Sequence, residues 1–326
     1  MTLRLGLVGA GWISGLHLEA LARLGRTELV GVTSRTLAAA EAVTGRWGGR
    51  PFDDLDRLLE TARPDLAWVC VPPYQAVAIG ERLVELGIPF LTEKPLAADD
   101  GDGPARLAAA IERAGLIVAV GYHLRALDIL PELRDRMATA PPRLIVARWL
   151  AETPPPAWWS RAGQGGGQVV EQATHLFDLA RLLAGEAEVV GAAAAPGHVR
   201  GNASARGSDV AEASAAVLRF AHGAIGSFST AHRLASASIE MTFASDGLLS
   251  RLWKGPAGQG DWHVSFDRGG EVVARRNERD PYERQAAAFL DAVESGDPSR
   301  VFSTYSDALK TDRLTRAVVA ATGRSG

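Results

Sequence analysis

Three segments of this 326-residue chain place chemically capable residues at informative spacings. The first is Gly9-Ala10-Gly11-Trp12-Ile13-Ser14-Gly15, directly after the apolar run Leu3 to Val8. A dinucleotide loop needs glycine at its first position for a tight turn, and at its second so that backbone can approach a pyrophosphate. Gly9 and Gly11 meet both demands, while Ser14, with Gly15 beside it, stands at the third. A plain glycine-rich turn would read the same, but the place of this one, after a first strand and before a helix, favours dinucleotide binding. Further on comes Thr33-Ser34-Arg35-Thr36, where NAD binders commonly carry an acid for the ribose 2′-hydroxyl. No acid is present. The hydroxyls of Ser34 and Thr36 and the guanidinium of Arg35 suit a 2′-phosphate, so NADP is expected in preference to NAD.

The second segment is Thr92-Glu93-Lys94-Pro95. It closes a short apolar strand, where open α/β sheets bind ligands. Pro95 restricts Lys94 to extended backbone and stiffens the turn, which lets the amine be aimed into a crevice. A lysine there can stabilise an alkoxide or donate to a carbonyl under reduction. A surface lysine paired with Glu93 is the bland alternative. Composition favours chemistry: of 35 basic residues only Lys94, Lys254 and Lys310 are lysines.

The third runs from Gly165-Gly166-Gly167 to Glu171, His175 and Asp178. On one continuous helix over 169–184 these three polar residues share a face, opposite Val169, Ala173, Leu176 and Phe177. A solvated face of an amphipathic helix would show the same spacing. No metal site is expected, because neither an HExxH arrangement nor a cysteine pair supports one.

The elements that position these segments follow from periodicity. Through residue 121, short apolar runs alternate with helical patterns, as in a parallel sheet covered on both faces. From 187 onward, closely spaced runs separated by His222-Gly223, Asp246-Gly247 and Gly269-Gly270 predict a mostly antiparallel sheet. Helices are expected near 282–295 and 304–322, and segment 201–209 reads as a mobile loop. The division is a first domain over 1–121 and a second over 122–326.

Net charge is −3, which gives no field for nucleic acid or an anionic membrane. The single cysteine excludes a disulfide framework. No apolar run reaches the roughly 18 residues of a membrane span, and the N-terminus has no leader pattern, so a cytoplasmic protein is expected.

Together these segments resemble the Gfo/Idh/MocA family of glucose–fructose oxidoreductase and inositol dehydrogenase. The resemblance also rests on Gly121-Tyr122-His123-Leu124-Arg125, Asp280-Pro281-Tyr282 and Asp307-Ala308-Leu309-Lys310, and it covers nearly the whole chain. It implies an α/β fold: an N-terminal Rossmann dinucleotide-binding domain plus an α+β domain with an open, mostly antiparallel sheet. It implies hydride transfer between a nicotinamide and a sugar, keto-sugar, cyclitol or related polyol, at a site between the domains.

By position Lys94 matches the family lysine and His175 its acid/base histidine. Glu171 falls where many members have Asp, and is the third catalytic candidate. His123 stands in place of an Asn near the nicotinamide, and Ala76 where a His is usual. Trp12, Ile13, Pro72, Glu93 and His123 join Gly9, Gly11, Ser34, Arg35, Thr36 and Lys94 as expected cofactor contacts. Trp158, Trp159 and Arg161 join Lys94, His123, Glu171 and His175 as expected substrate contacts, the tryptophans serving equally well as packing. A homodimer or homotetramer through the second-domain sheet is expected. The competing reading is a non-catalytic dinucleotide- or sugar-binding regulator of the same fold, which would not require both Lys94 and His175.

Overall fold

The computed structural model describes residues 2–98, 101–195, 208–255 and 260–323. Most of the loop expected at 201–209 lies outside the described residues. The chain forms two compact units. One comprises the chain up to Ala97, Gly101–Ala126 and Asp280–Leu309; the other comprises chiefly Leu127–Arg279 and the residues from Lys310 on. A single cut at 121/122 thus leaves out the return of the chain to the first unit at Asp280–Leu309.

In the first unit the order is β1 (Leu3–Val8), α1 (Trp12–Leu24), β2 (Thr27–Thr33), α2 (Leu37–Trp47), β3 (Arg50–Phe52), α3 (Leu55–Ala62), β4 (Leu66–Val69), α4 (Pro73–Glu85), β5 (Phe90–Thr92), α5 (Gly103–Ala114) and β6 (Val118–Val120). Among the described residues the strands form one six-stranded parallel sheet, ordered β3-β2-β1-β4-β5-β6. Both faces are covered, as the continuous apolar strands predict. Ala67, Val69 and Phe90 pack into one core with Leu83, Leu107 and Ile111. Leu66, Trp68 and Leu91 pack into the other with Leu18 and Leu21.

Helix Pro281–Ser295 closes the second of these cores, contributing Ala286, Phe289 and Leu290. Ion pairs from Arg23 and Arg26 of the α1 end to Glu283, Asp291 and Glu294 run along its edge. Exposed pairs of this kind contribute about 0–1 kcal/mol each. Burying Phe289 or Leu290 contributes about 1.5–3 kcal/mol each, so the apolar contact does most to dock the helix.

The second unit begins with α6 (Leu130–Thr139) and β7 (Leu144–Leu150). Three helical pieces follow: α7 (Ala162–Gly165), α8 (Gly167–Glu171) and α9 (Thr174–Ala184). Then come β8 (Ala187–Ala195), β9 (Ala213–Phe220), β10 (Ile225–Ala231), β11 (Ser238–Ser245), β12 (Leu248–Lys254), β13 (Trp262–Arg268) and β14 (Glu271–Arg276). The chain ends with α10, the helix at Pro281–Ser295 that belongs to the first unit, and α11 (Tyr305–Ala321), whose residues from Lys310 on belong to the second. Among the described residues the strands form an eight-stranded sheet, β14-β13-β12-β11-β7-β10-β9-β8. Only β10 and β7 pair in parallel; every other neighbour is antiparallel.

Alternation along these strands buries one face and leaves the other open. The continuous helix expected over 169–184 is in fact broken. Ala173 N–H donates to the Gln168 carbonyl five residues back, and α9 restarts at Thr174. This wide turn rephases the chain, so Glu171 and His175 do not lie on one face of a single helix. The solvated-face reading fails as well, because His175 and Asp178 are buried. No helix among the described residues is long and apolar enough to cross a membrane.

Candidate active site

The sequence candidates of the first unit converge on the carboxyl edge of its sheet. Gly9 follows β1 with φ of 102°, and its N–H donates to the Thr33 carbonyl at 2.8 Å. A Cβ there would stand 2.2 Å from the Cys70 carbonyl oxygen, so only glycine fits. Gly11 caps α1 in extended conformation, and a Cβ on it would meet nothing within 4 Å. No side chain caps α1, so the N–H groups of its first turn are available in the way that suits a phosphate. Ser14 is buried and its hydroxyl donates to the Gly11 carbonyl at 2.5 Å, which folds the serine into the loop where the fingerprint has glycine. Trp12 is 78% exposed, and Ile13 packs against the core.

At the end of β2, Ser34 is half-buried and Arg35 and Thr36 are exposed. The Thr36 hydroxyl oxygen accepts from Ala39 N–H as the cap of α2, which leaves its O–H free to donate. Arg35 has no acidic partner among the described residues, so its charge is not neutralised by the protein. Pro72 caps α4 beyond β4.

Beyond β5, the Lys94–Pro95 bond is cis. Glu93 is 8% exposed, which excludes a solvated surface pair. Its Oε1 lies 2.8 Å from Nε2 of His17, a residue 1% exposed on α1. Burial and the nearby Glu93 carboxylate push the Cys70 thiol well up, so Cys70 is chemically quiet. His123 stacks on Tyr282 at 4.6 Å and 15°, and Tyr282 in turn meets His17 edge-on at 5.3 Å.

In the second unit, the His175 imidazole stacks on Trp149 of β7, with centroids 5.7 Å apart and planes at 17°. The Gln168 amide holds this strand to α8 by donating to the Trp149 and Ala231 carbonyls. Glu171, half-buried, accepts from the Trp159 indole N–H at 3.1 Å. Trp159 is 1% exposed, and His232 meets it edge-on at 4.9 Å. His232 is fixed by Thr153 at 2.9 Å and by the Ala211 carbonyl at 3.1 Å, and burial lowers its pKa. Trp159 is thus packed behind Glu171. Trp158 is half-buried, and Arg161 is exposed.

Sequence reasoning missed His17, Trp149, Gln168 and His232, and it gave Tyr282 no place in the site. His17 carried a readable signal: with Ser14, Leu18 and Leu21 it occupies the buried stripe of α1, a titratable residue on an apolar face. Trp149 and His232 carried none, because their neighbours are distant in sequence.

Known proteins share this fold. Residues 3–122 match the model of an oxidoreductase family with an NAD-binding Rossmann fold, and residues 135–246 match the Gfo/Idh/MocA C-terminal domain. The rhizopine catabolism protein MocA of Rhizobium meliloti is 30% identical over 186 residues, which is 56% of this chain and 57% of that protein. An inositol 2-dehydrogenase of Rhizobium meliloti is 28% identical over 193 residues, 58% of this chain and 57% of the relative. The chain thus spans less than two thirds of the length of each relative. A 3-ketoreductase from Actinomadura kijaniata, solved with NADP and TDP-benzene, superposes with a TM-score of 0.85 at 22% identity over 98% of both chains. The two domain matches together take in more than two thirds of the sequence, in the order the two sheets require, and the chain belongs to the Gfo/Idh/MocA family of oxidoreductases.

Proposed function

We propose that this oxidoreductase transfers hydride between NADP(H), used in preference to NAD(H), and a CH–OH or keto carbon of a sugar, keto-sugar, cyclitol or related polyol. The observation that carries the reading is the carboxyl edge of the first sheet. It combines a backbone-only cradle at Gly9 and Gly11, an exposed guanidinium at Arg35 with no acid on it, and Lys94 on a turn anchored by buried Glu93. These residues fit a phosphorylated dinucleotide. The N–H groups of the first α1 turn would hold the pyrophosphate, Ser34, Arg35 and Thr36 would hold the 2′-phosphate, and Pro72 and His123 would contribute to the nicotinamide end of the site. The inositol dehydrogenase among the relatives, and the ketoreductase solved with NADP and a TDP compound, support the substrate class.

Bound NADP(H) supplies the hydride acceptor or donor. In the oxidation direction His175 takes the hydroxyl proton and Lys94 stabilises the developing oxyanion. In reduction Lys94 polarises the carbonyl and His175 returns the proton. Trp149 fixes the imidazole plane by stacking. Glu171, held by the Trp159 indole, orients His175 or a substrate hydroxyl. Trp158 and Arg161 add substrate contacts.

The outer face of the second sheet exposes Leu144, Val146, Val217, Ile225 and Leu249; register pairs Leu144 with Ile225, and sets Ser227 between Val146 and Val217 and Ala244 between Leu144 and Leu249. Such a face supports a homodimer or homotetramer formed through it. One buried cysteine and the NADPH preference favour a cytoplasmic setting.

The test is a panel of sugars, cyclitols and keto-sugars with each cofactor, read by the absorbance of the reduced nicotinamide. Turnover with a member of these classes, faster with NADP(H), is the expected result. Tight NADPH binding with no turnover across the panel would overturn the enzymatic reading in favour of a regulator.

A further inference from the structure

The helix that opens at the dinucleotide loop and the turn that carries Lys94 are separate in sequence, yet one buried hydrogen bond joins them. His17 lies in the second turn of α1, and its Nε2 meets Glu93 Oε1 at 2.8 Å. The other carboxylate oxygen, Oε2, accepts from the Lys94 backbone N–H at 3.3 Å. The Glu93 N–H donates to the Val69 carbonyl at 2.9 Å. The carboxylate also needs room that only glycine leaves: a Cβ on Gly121 would stand 2.5 Å from Oε1. His17 is itself wedged edge-on between Trp68 and Tyr282 at 5.9 and 5.3 Å. Its Nδ1 is buried without a hydrogen-bond partner among the described residues. The imidazole is therefore spent on Glu93, and a buried carboxylate has few other ways to be satisfied.

We infer that His17 is a positioning residue, which through Glu93 holds the Lys94 turn in register with the cofactor-loop helix. The inference rests on the catalytic reading of Lys94 only for its kinetic consequence. Gln at position 17 places an amide nitrogen near the location of Nε2; Asn falls short of it. His17→Gln is therefore the conservative variant, and His17→Asn breaks the contact while staying compact and polar.

The chain has only three lysines, so reductive methylation with carbon-13 formaldehyde labels Lys94, Lys254 and Lys310 and the amino terminus alone. Lys94→Arg assigns the Lys94 resonance. In His17→Asn that resonance should move while those of Lys254 and Lys310 stay, and in His17→Gln it should return towards wild type. In the unlabelled enzyme His17→Asn should lower kcat about 10- to 100-fold, as expected when a catalytic group is misplaced by roughly 1 Å, with less effect on KM. NADPH affinity, followed by fluorescence, should change much less than kcat.

A filler role for His17 would lower the melting temperature of both variants and leave the Lys94 resonance of the folded protein in place, and that result overturns the inference. So does His17→Gln behaving no closer to wild type than His17→Asn. A resonance that moves as stated while Lys94→Ala keeps normal turnover supports the positioning role and overturns the catalytic reading of Lys94.

Discussion

Replacing Arg35 tests the cofactor assignment on a side chain whose removal should not disturb the fold. Arg35 is exposed just beyond β2 and has no ion pair or side-chain hydrogen bond among the described residues, so its guanidinium is available in full. A hydrogen bond to a charged group contributes about 1.5–3 kcal/mol. Exposure to solvent and salt draws the value towards the lower end, since the Debye length is about 8 Å at physiological ionic strength.

At about 1.4 kcal/mol per factor of ten, Arg35→Ala should weaken NADPH binding roughly 10- to 30-fold. NADH has no 2′-phosphate and should bind nearly as before. Arg35→Asp should go further, repelling the phosphate and offering an acceptor to the ribose 2′-hydroxyl, so the preference should invert or vanish. Fluorescence titration with NADPH and NADH, at low and moderate salt, reads both affinities. The NADPH advantage of the wild type should shrink as salt rises, and the small residual advantage of Arg35→Ala should not. Equal affinity for both cofactors in the wild type, unchanged in Arg35→Asp, would refute the assignment.

Other outcomes follow from the second unit. Val146→Glu with Val217→Glu on the open sheet face should convert the assembly to monomers by light scattering; a wild type already monomeric at micromolar concentration would contradict the sheet interface. Trp159→Phe removes the donor to Glu171 and shrinks a fully buried ring, so kcat should fall together with the melting temperature, and undiminished turnover of the folded variant would show that the contact does not matter. Burial lowers the His232 pKa below its unfolded value of about 6.5, so the unfolded chain binds more protons than the folded one once pH falls below that point. Stability contributed by neutral His232 should be present above pH 6.5 and decline as pH drops towards the folded pKa. The melting temperature of His232→Gln should therefore fall less between pH 7 and 5 than that of the wild type, and parallel curves would refute the linkage.

Much of the fold was legible because its signals are local. Most strands of the first sheet are short, mainly apolar runs, and the loop at Gly9 and Gly11 follows from backbone geometry that few residues other than glycine allow. The edge strand Arg50–Phe52 escaped because it has three residues and contains Pro51, which only an edge tolerates. The break between α8 and α9 escaped because every residue from Gln168 to His175 is compatible with a helix. The Gln168 side chain instead satisfies carbonyls on β7 and β10, contacts that no local propensity encodes. The burial of Trp159 depends on His232, and the state of Glu93 on His17, each far along the chain. Residue types in the candidate site could thus be read from sequence, whereas their supporting partners could not.

Whether Lys94 and His175 act in the transition state of hydride transfer is read most directly from kcat beside the NADPH dissociation constant for Lys94→Ala and His175→Ala. Loss of a positioned acid/base group costs about 10²–10⁴-fold in rate, and both variants should lose that much kcat while folding and binding NADPH almost normally. Lys94→Arg should fail as well, because guanidinium is bulkier, planar and unable to deprotonate, while Lys254→Arg and Lys310→Arg should turn over like the wild type. Near-normal turnover of an identified substrate by Lys94→Arg or His175→Ala would contradict the account.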